Sequence, residues 1–86
     1  MTIYVDSAIW RSARRPGTRF CHVASDSSID ELHAFAARAG LPERAFHRDH
    51  YDVPAHARPH VVAAGAMPVD AKTLVRRLRA AGLRRR

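Results

Sequence analysis

Apolar residues recur at the three- and four-residue spacing of an amphipathic helix in two parts of the chain. The first set is Ile29, Leu32, Phe35, Ala36 and Ala39, and the second set is Ala71, Leu74, Val75, Leu78 and Ala81. Ser28 and Glu31 have the spacing of a capping box before the first set, and Gly40 supplies a left-handed helix end. Asp70 and Gly82 delimit the second set in a similar way. The pattern therefore predicts helices at 29–39 and 71–81.

Three shorter segments have the composition or the alternation of β-strands. Residues 2–5 are β-branched and aromatic, and residues 66–69 suit a short third strand. Residues 20–24 alternate, so that His22 shares a face with Phe20 and Ala24. Residues 7–19 are expected to form a loop with a turn at 14–17, and residues 47–53 show no regular pattern.

Two prolines limit the structure that the middle of the chain can form. Pro54 and Pro59 restrict a further helix to a short segment that ends at Gly65. Together the segments predict a small single α/β domain over residues 1–86, with about three short strands and three helices packed on the sheet. Residues 84–86 are expected to form a basic disordered tail. The strand order is left open.

The chain length and the cysteine count limit the class of protein further. A chain of 86 residues has room for one hydrophobic core, and a homodimer is compatible with that size because a partner subunit adds stability. Cys21 is the only cysteine, so no internal disulfide is expected. The longest apolar run, at 61–67, is far shorter than the roughly 20 residues of a membrane span. We expect a cytoplasmic protein without a membrane partner.

The chain is strongly basic. Its 15 basic and 8 acidic residues give a net charge of +7, which predicts attraction to nucleic acid or another polyanion. Arg76, Arg77 and Arg79 are placed on the solvent side of the last helix, where they can contact phosphates without reading a base sequence. The alternative is a solvated helix face in a chain whose 14 arginines and 16 alanines reflect GC-rich coding.

The densest group of functional side chains lies at residues 47–52. Asp49, His50 and Asp52 are candidate catalytic residues, with His50 as the general acid or base and either carboxylate as its orienting partner. Imidazole and carboxylate groups together also suit a divalent ion such as zinc, manganese or iron. The alternative is a structural loop in which Asp49 and Asp52 accept hydrogen bonds from local backbone amides.

Residues elsewhere in the chain are candidates to join this group. Asp6 ends the first predicted strand, and ligands of α/β folds gather at strand ends, so Asp6 is a candidate metal ligand with His50 and Asp49. His22 and His33 are further catalytic candidates if the fold brings them to residues 49–52. The alternative for each is a hydrogen-bonded histidine at the core. Cys21 is expected to be a buried, inert thiol that points away from His22.

Several motifs occur in an order that resembles one family. They are residues 4–6 (YVD), 21–23 (CHV) with Asp26, 31–36 (ELHAFA), 49–53 (DHYDV), Arg58 and 63–66 (AAGA). On these motifs nearly the whole chain resembles the small bacterial and phage proteins called domain of unknown function 4031. The resemblance implies no established activity. It points to Asp6, His22, His33, Asp49, His50, Tyr51 and Asp52, with Arg58 and Tyr51 as anion contacts.

Two details qualify the resemblance. Where the family has an amide before the D-H-Y-D segment, this chain has His47. The opening residues 3–8 are also similar to the start of PIN-domain ribonucleases, but the chain is short for the acidic cluster of that family.

These observations lead to one leading functional hypothesis and two rivals. In the first, the histidines and carboxylates form a shallow polar site for a phosphate-bearing anion or a metal-bridged ligand, and catalysis is left open. In the second, the protein is a non-catalytic accessory module that binds nucleic acid or a protein through the arginines of the last helix. In the third, the polar cluster only braces a loop.

Overall fold

A computed structural model describes residues 2–7, 10–11 and 19–84, and these residues form one mixed sheet with three helices. The strands are β1 (Ile3–Val5), β2 (Trp10–Arg11), β3 (Arg19–Ser25), β4 (Phe46–His47), β5 (His50–Pro54) and β6 (Met67–Pro68). The helices are α1 (Ile29–Ala39), α2 (Arg58–Ala63) and α3 (Ala71–Ala80). The predicted turn at 14–17 and the last two residues of the predicted tail lie outside the described residues.

The strands lie in the order β4-β5-β3-β1-β6, and β2 pairs with β3 beside β1. All pairs are antiparallel except β1 and β6, which run parallel. The α/β class is confirmed, but the prediction of about three strands was too low. The strands that it lacked are β2 and the β4–β5 hairpin, whose many polar side chains hide the strand pattern.

The two long helices form where the apolar spacing and the caps predict them. Ser28 Oγ accepts a hydrogen bond from the backbone N–H of Glu31 at 3.0 Å, and Gly40 ends α1 at φ 76°. The reciprocal half of the capping box is replaced by another contact, because the N–H of Ser28 donates to Ser25 Oγ and the hydroxyl of Ser25 donates to Glu31. Ser25 thereby ties the end of β3 to the start of α1.

The helices cover both faces of the sheet. One face packs against α1 and α2 through the larger cluster of buried residues, which includes Val5, Val23, Leu32, Phe35, Tyr51, Val53 and Val61. The other face packs against α3 through Tyr4, Ala24, Leu74 and Leu78. The arrangement is therefore a three-layer sandwich in which the alternation along each strand sends neighbouring residues to different layers.

The β4–β5 hairpin turns tightly at Arg48 and Asp49. The backbone N–H of Asp49 donates to the carbonyl of His47 at 2.7 Å, and Arg48 between them has φ 60°. This is the geometry of a γ-turn, and glycine would fit its central position better than arginine does. The register pairs His47 with His50 and Phe46 with Tyr51, which directs His50 and Tyr51 to opposite faces.

The end of α3 is also sharply defined. Gly82 takes φ 74°, and the backbone N–H of Leu83 donates to the carbonyl of Leu78 at 3.0 Å. Leu83 then packs against the smaller cluster of buried residues. This reversal of the chain carries Arg84 back toward the β4–β5 hairpin. Within the part of the chain that the structure describes, no helix has the length and apolar content to cross a membrane.

Candidate metal centre

Strand alternation gathers polar side chains on the face of the sheet that α3 covers only in part. Asp6 follows β1 in phase with Tyr4, and His22 precedes Ala24 on β3 by two residues. On β5, His50 and Asp52 share a face, and the register pairs Asp52 with His22. The predicted face of His22 is therefore confirmed. Strand alternation puts these four groups on one face, and the pairing of β1 and β5 with β3 brings them close together.

Three of these side chains converge on one point. The Nε2 atoms of His22 and His50 lie 3.4 Å and 3.2 Å from the same oxygen, Oδ1 of Asp52. One ligand atom from each of the three side chains lies within 4.8 Å of the other two. A tetrahedral ion with ligand bonds of about 2.0 to 2.1 Å separates its ligands by about 3.3 Å. The two imidazole-to-carboxylate distances match the edges of such a site.

Each imidazole has a second carboxylate at its other ring nitrogen. His22 Nδ1 lies 3.2 Å from Asp6 Oδ2, and His50 Nδ1 lies 2.7 Å from Asp49 Oδ1. Asp6 and Asp49 are both buried. Histidines that bind metals usually donate the outer N–H to a carboxylate or carbonyl, which orients the ring and makes Nε2 a better ligand. His22 and His50 both have this arrangement.

Asp6 is held by the backbone of β3. The backbone N–H of His22 donates to Asp6 Oδ1 at 2.6 Å, and the N–H of Asp6 donates to the carbonyl of His22 at 3.0 Å. The carbonyl of Asp6 accepts from Arg58 Nε at 2.8 Å. The Asp6 carboxylate thus accepts the hydrogen bond that a strand carbonyl would otherwise accept, and this contact fixes it near Nδ1 of His22.

Each of the two rings has a carboxylate oxygen near both of its nitrogens. A neutral imidazole donates a hydrogen from one nitrogen only and has a lone pair at the other, which can bind a metal ion. The two rings lie close together, with centroids 4.4 Å apart. Both Nε2 atoms could therefore bind one cation together with Asp52.

Burial and neighbouring charges shift the pKa values of His50 and Asp49. Burial lowers the pKa of His50, the nearby His22 adds to this, and the hydrogen bond with Asp49 opposes it. A lower pKa favours neutral imidazole, which is the form that binds metals. Burial raises the pKa of Asp49, but hydrogen bonds from Arg84 and His50 outweigh burial and bring it to about 2. Asp49 is therefore a carboxylate at neutral pH.

Arg84 completes the outer part of the cluster. Its Nε and Nη2 donate to the two oxygens of Asp49 at 2.8 Å and 2.9 Å, a bidentate pair. This hydrogen bonding raises the pKa of Arg84 above its ordinary value. The sequence predicts a disordered tail at 84–86, of which the structure describes only Arg84. The local signal was Gly82 followed by the apolar Leu83, a helix end that folds the chain back.

His33 and Tyr51 lie on the other face of the sheet, so the structure does not bring them to the cluster. His33 projects from α1, and its Nδ1 is 2.7 Å from the Tyr51 hydroxyl. Phe46 packs beside both rings. The physical reason is strand alternation, because Tyr51 sits between His50 and Asp52 and must face the opposite side. Burial, followed by the charge of Glu43, raises the pKa of Tyr51.

The remaining candidates lie around the cluster or away from it. His47 is exposed, and its ring centroid is 5.7 Å from that of His50. Cys21 is buried on the opposite face, where burial and the charge of Asp6 raise its pKa to about 11. It remains a thiol at neutral pH, as predicted. The structure places Arg76, Arg77 and Arg79 on the exposed surface of α3.

Fold and site together define a small α/β protein with a cluster of two histidines and three carboxylates. Asp6, Asp49 and His50 of this cluster are buried, and His22 and Asp52 are partly exposed. Residues 3–81 match the family described as Protein of unknown function (DUF4031), and the chain belongs to that family. In the same comparisons, no curated protein and no solved structure matches the chain.

Proposed function

We propose that this protein binds one divalent metal ion through His22 Nε2, His50 Nε2 and Asp52, and presents that ion to an anionic ligand. The observation that supports the proposal most strongly is the convergence of both Nε2 atoms on Asp52 Oδ1, at 3.4 Å and 3.2 Å. Zinc is the ion chosen for the test, because two imidazoles and one carboxylate suit it and both imidazole-to-carboxylate distances are close to tetrahedral spacing.

The ligand count favours a functional ion over a structural one. Structural zinc sites have four protein ligands, whereas zinc sites that act on a substrate have three and keep one position open. Here the side chains of Asp52 and His22 are 41 % and 17 % exposed, so the cluster opens to solvent on their side. A bound zinc ion supplies a Lewis acid and a water molecule whose pKa is about 7.

Arg58 and Arg84 hold in place the residues that contact the outer nitrogens of the two histidines. Arg58 holds the backbone at Asp6 and Arg84 holds Asp49, so each arginine steadies the carboxylate behind one histidine. The net charge of +7 attracts an anionic ligand, such as a phosphate group, to the protein. His33 and Tyr51 have no part in this arrangement.

Isothermal titration of chelator-treated protein with zinc chloride tests the proposal. The wild type is expected to bind one equivalent. His22→Ala, His50→Ala and Asp52→Ala each remove a ligand and should abolish measurable binding. Asp49→Asn removes a partner of His50 and should weaken binding by about 10- to 100-fold. Asp52 is partly exposed, so its variant tests the site even if a buried substitution unfolds the chain.

Two histidines outside the cluster provide matched controls. His33→Ala and His56→Ala remove imidazoles from α1 and from the turn that precedes α2, and both should leave zinc affinity unchanged. Circular dichroism confirms that each variant is folded. Absence of wild-type binding, or an equal loss in the control variants, would contradict the proposal.

A further inference from the structure

The net positive charge of this protein is confined to one segment. Residues 1–70 hold eight basic and eight acidic residues, whereas residues 71–86 hold seven basic residues and no acidic residue. GC-rich coding raises the arginine content along a whole chain, but it does not explain why acidic residues are absent from one stretch. The segregation therefore points to a surface that is selected for its charge.

The described part of that segment, residues 71–84, lies on the sheet face that carries the proposed metal site. Helix α3 packs on the same sheet face as the cluster, through Leu74 and Leu78 against Tyr4 and Ala24. Its solvent side carries Lys72, Arg76 and Arg79, which are exposed and spaced so that they project in similar directions. Past the end of the helix, Arg84 contacts the cluster through Asp49. The basic segment therefore reaches the cluster at its C-terminal end, through Arg84.

The chemistry of this surface favours nucleic acid over other polyanions. All six basic residues that follow Lys72 are arginine, whose planar guanidinium has the fork geometry that binds two phosphate oxygens at once. Membrane binding requires large apolar side chains next to the charges, and among the described residues only Met67, outside α3, is a large exposed apolar residue. No aromatic side chain lies in 71–86, so contacts to phosphates and not to bases are expected.

We propose that α3 binds the phosphate backbone of nucleic acid and positions one phosphate at the open coordination position of the metal. The second half of this statement rests on the proposed metal site, and the first half does not. Lys72, Arg76 and Arg79 contact the backbone, independent of base sequence. A phosphate oxygen then completes the coordination of the ion next to Asp52.

Fluorescence anisotropy of a short fluorescein-labelled single-stranded DNA tests both halves. In EDTA, binding by the wild type should weaken by about 20-fold from about 50 to about 200 mM salt, as expected for three phosphate contacts on a single strand. The double variant Arg76→Glu/Arg79→Glu should lose most binding, and any remaining salt slope should be smaller by about 1.4, for two lost contacts. The matched control Arg38→Glu/Arg44→Glu makes the same charge change at exposed arginines outside α3, in α1 and in the turn before β4, and should retain most of the affinity and the slope.

A second measurement, with zinc added, tests the role of the metal separately from the role of α3. Zinc should tighten DNA binding by the wild type at least several-fold, and Asp52→Ala should lose this increase. If both charge-reversal variants weaken binding equally, or if the wild type does not bind DNA in EDTA, the proposal that α3 binds nucleic acid is refuted. If zinc binds in the titration but leaves DNA affinity unchanged, the phosphate does not reach the metal. If zinc does not bind at all, the metal site fails and the EDTA result still decides the role of α3.

Discussion

The contact between Arg84 and Asp49 gives a prediction whose size follows from the geometry. Arg84→Gln keeps much of the side-chain length and removes the charge, so Asp49 keeps only His50 as a partner for its buried carboxylate. We expect the variant to be less stable than the wild type at neutral pH, because an ionised carboxylate is then buried without its main counterion.

The pKa of Asp49 sets the size of the expected loss of stability. It falls from the ordinary 3.8 to about 2 in the folded protein. At about 1.4 kcal/mol per unit, this difference amounts to about 2.5 kcal/mol for all partners of Asp49. His50 supplies a share of it, and solvent screens the partly exposed Arg84, so about 1 to 2 kcal/mol is expected for Arg84 alone.

The pH dependence follows from the direction of the shift. Because the pKa of Asp49 is lower in the folded than in the unfolded state, the stabilisation is complete above about pH 4. It decreases as the pH falls toward about 2, where the folded carboxyl also becomes protonated. The free energies of unfolding of wild type and variant should therefore approach each other over this range.

Urea unfolding followed by circular dichroism at a series of pH values measures this difference. Arg44→Gln, which removes an exposed arginine, is the control and should change stability little at any pH. A difference between Arg84→Gln and wild type that stays constant from neutral pH to about pH 2 would refute the reasoning. So would an equal loss of stability in a protein that already carries Asp49→Asn, since the pair is then already broken.

Two further substitutions test the local structure. Ser28→Ala removes the side-chain oxygen that accepts from Glu31 N–H and should lower the free energy of unfolding by about 1 kcal/mol in urea titration, whereas no change would mean that the cap contributes nothing. Arg48→Gly relieves the positive φ of the hairpin turn and should raise stability by about 0.5 kcal/mol, the net of a relieved left-handed conformation and the entropy of glycine. A clear loss of stability in that variant would show that the turn does not have this conformation.

The parts of the fold that the sequence predicts best are those with a strong local signal. Both long helices begin at their predicted caps, and the alternation at 20–24 places His22 on the correct face. The β4–β5 hairpin was missed because its turn contains Arg48 and Asp49 instead of the Asn-Gly or Gly residues typical of such turns. The polar residues of β5 also replace the apolar alternation from which a strand is recognised.

The candidate site was predictable in composition but not in geometry. Asp49, His50 and Asp52 could be named because acid, base and ligand side chains are concentrated at residues 47–52. Asp6 and His22 could be named from their positions on predicted strands. The separation of His33 from them depends on which face of the sheet α1 covers, and the sequence leaves the strand order open. Once β5 pairs with β3, alternation sends His50 and Asp52 to one face and Tyr51 to the other. The position of Arg84 depends on a chain reversal after α3 that only tertiary packing of Leu83 fixes.

The most direct test of the metal site is an anomalous difference map from crystals of the protein grown with one equivalent of zinc. The account predicts a single strong peak at about 2.0 to 2.2 Å from His22 Nε2, His50 Nε2 and an oxygen of Asp52. A peak on other histidines, or a structure in which zinc is absent and Asp52 turns away from both rings, would contradict it.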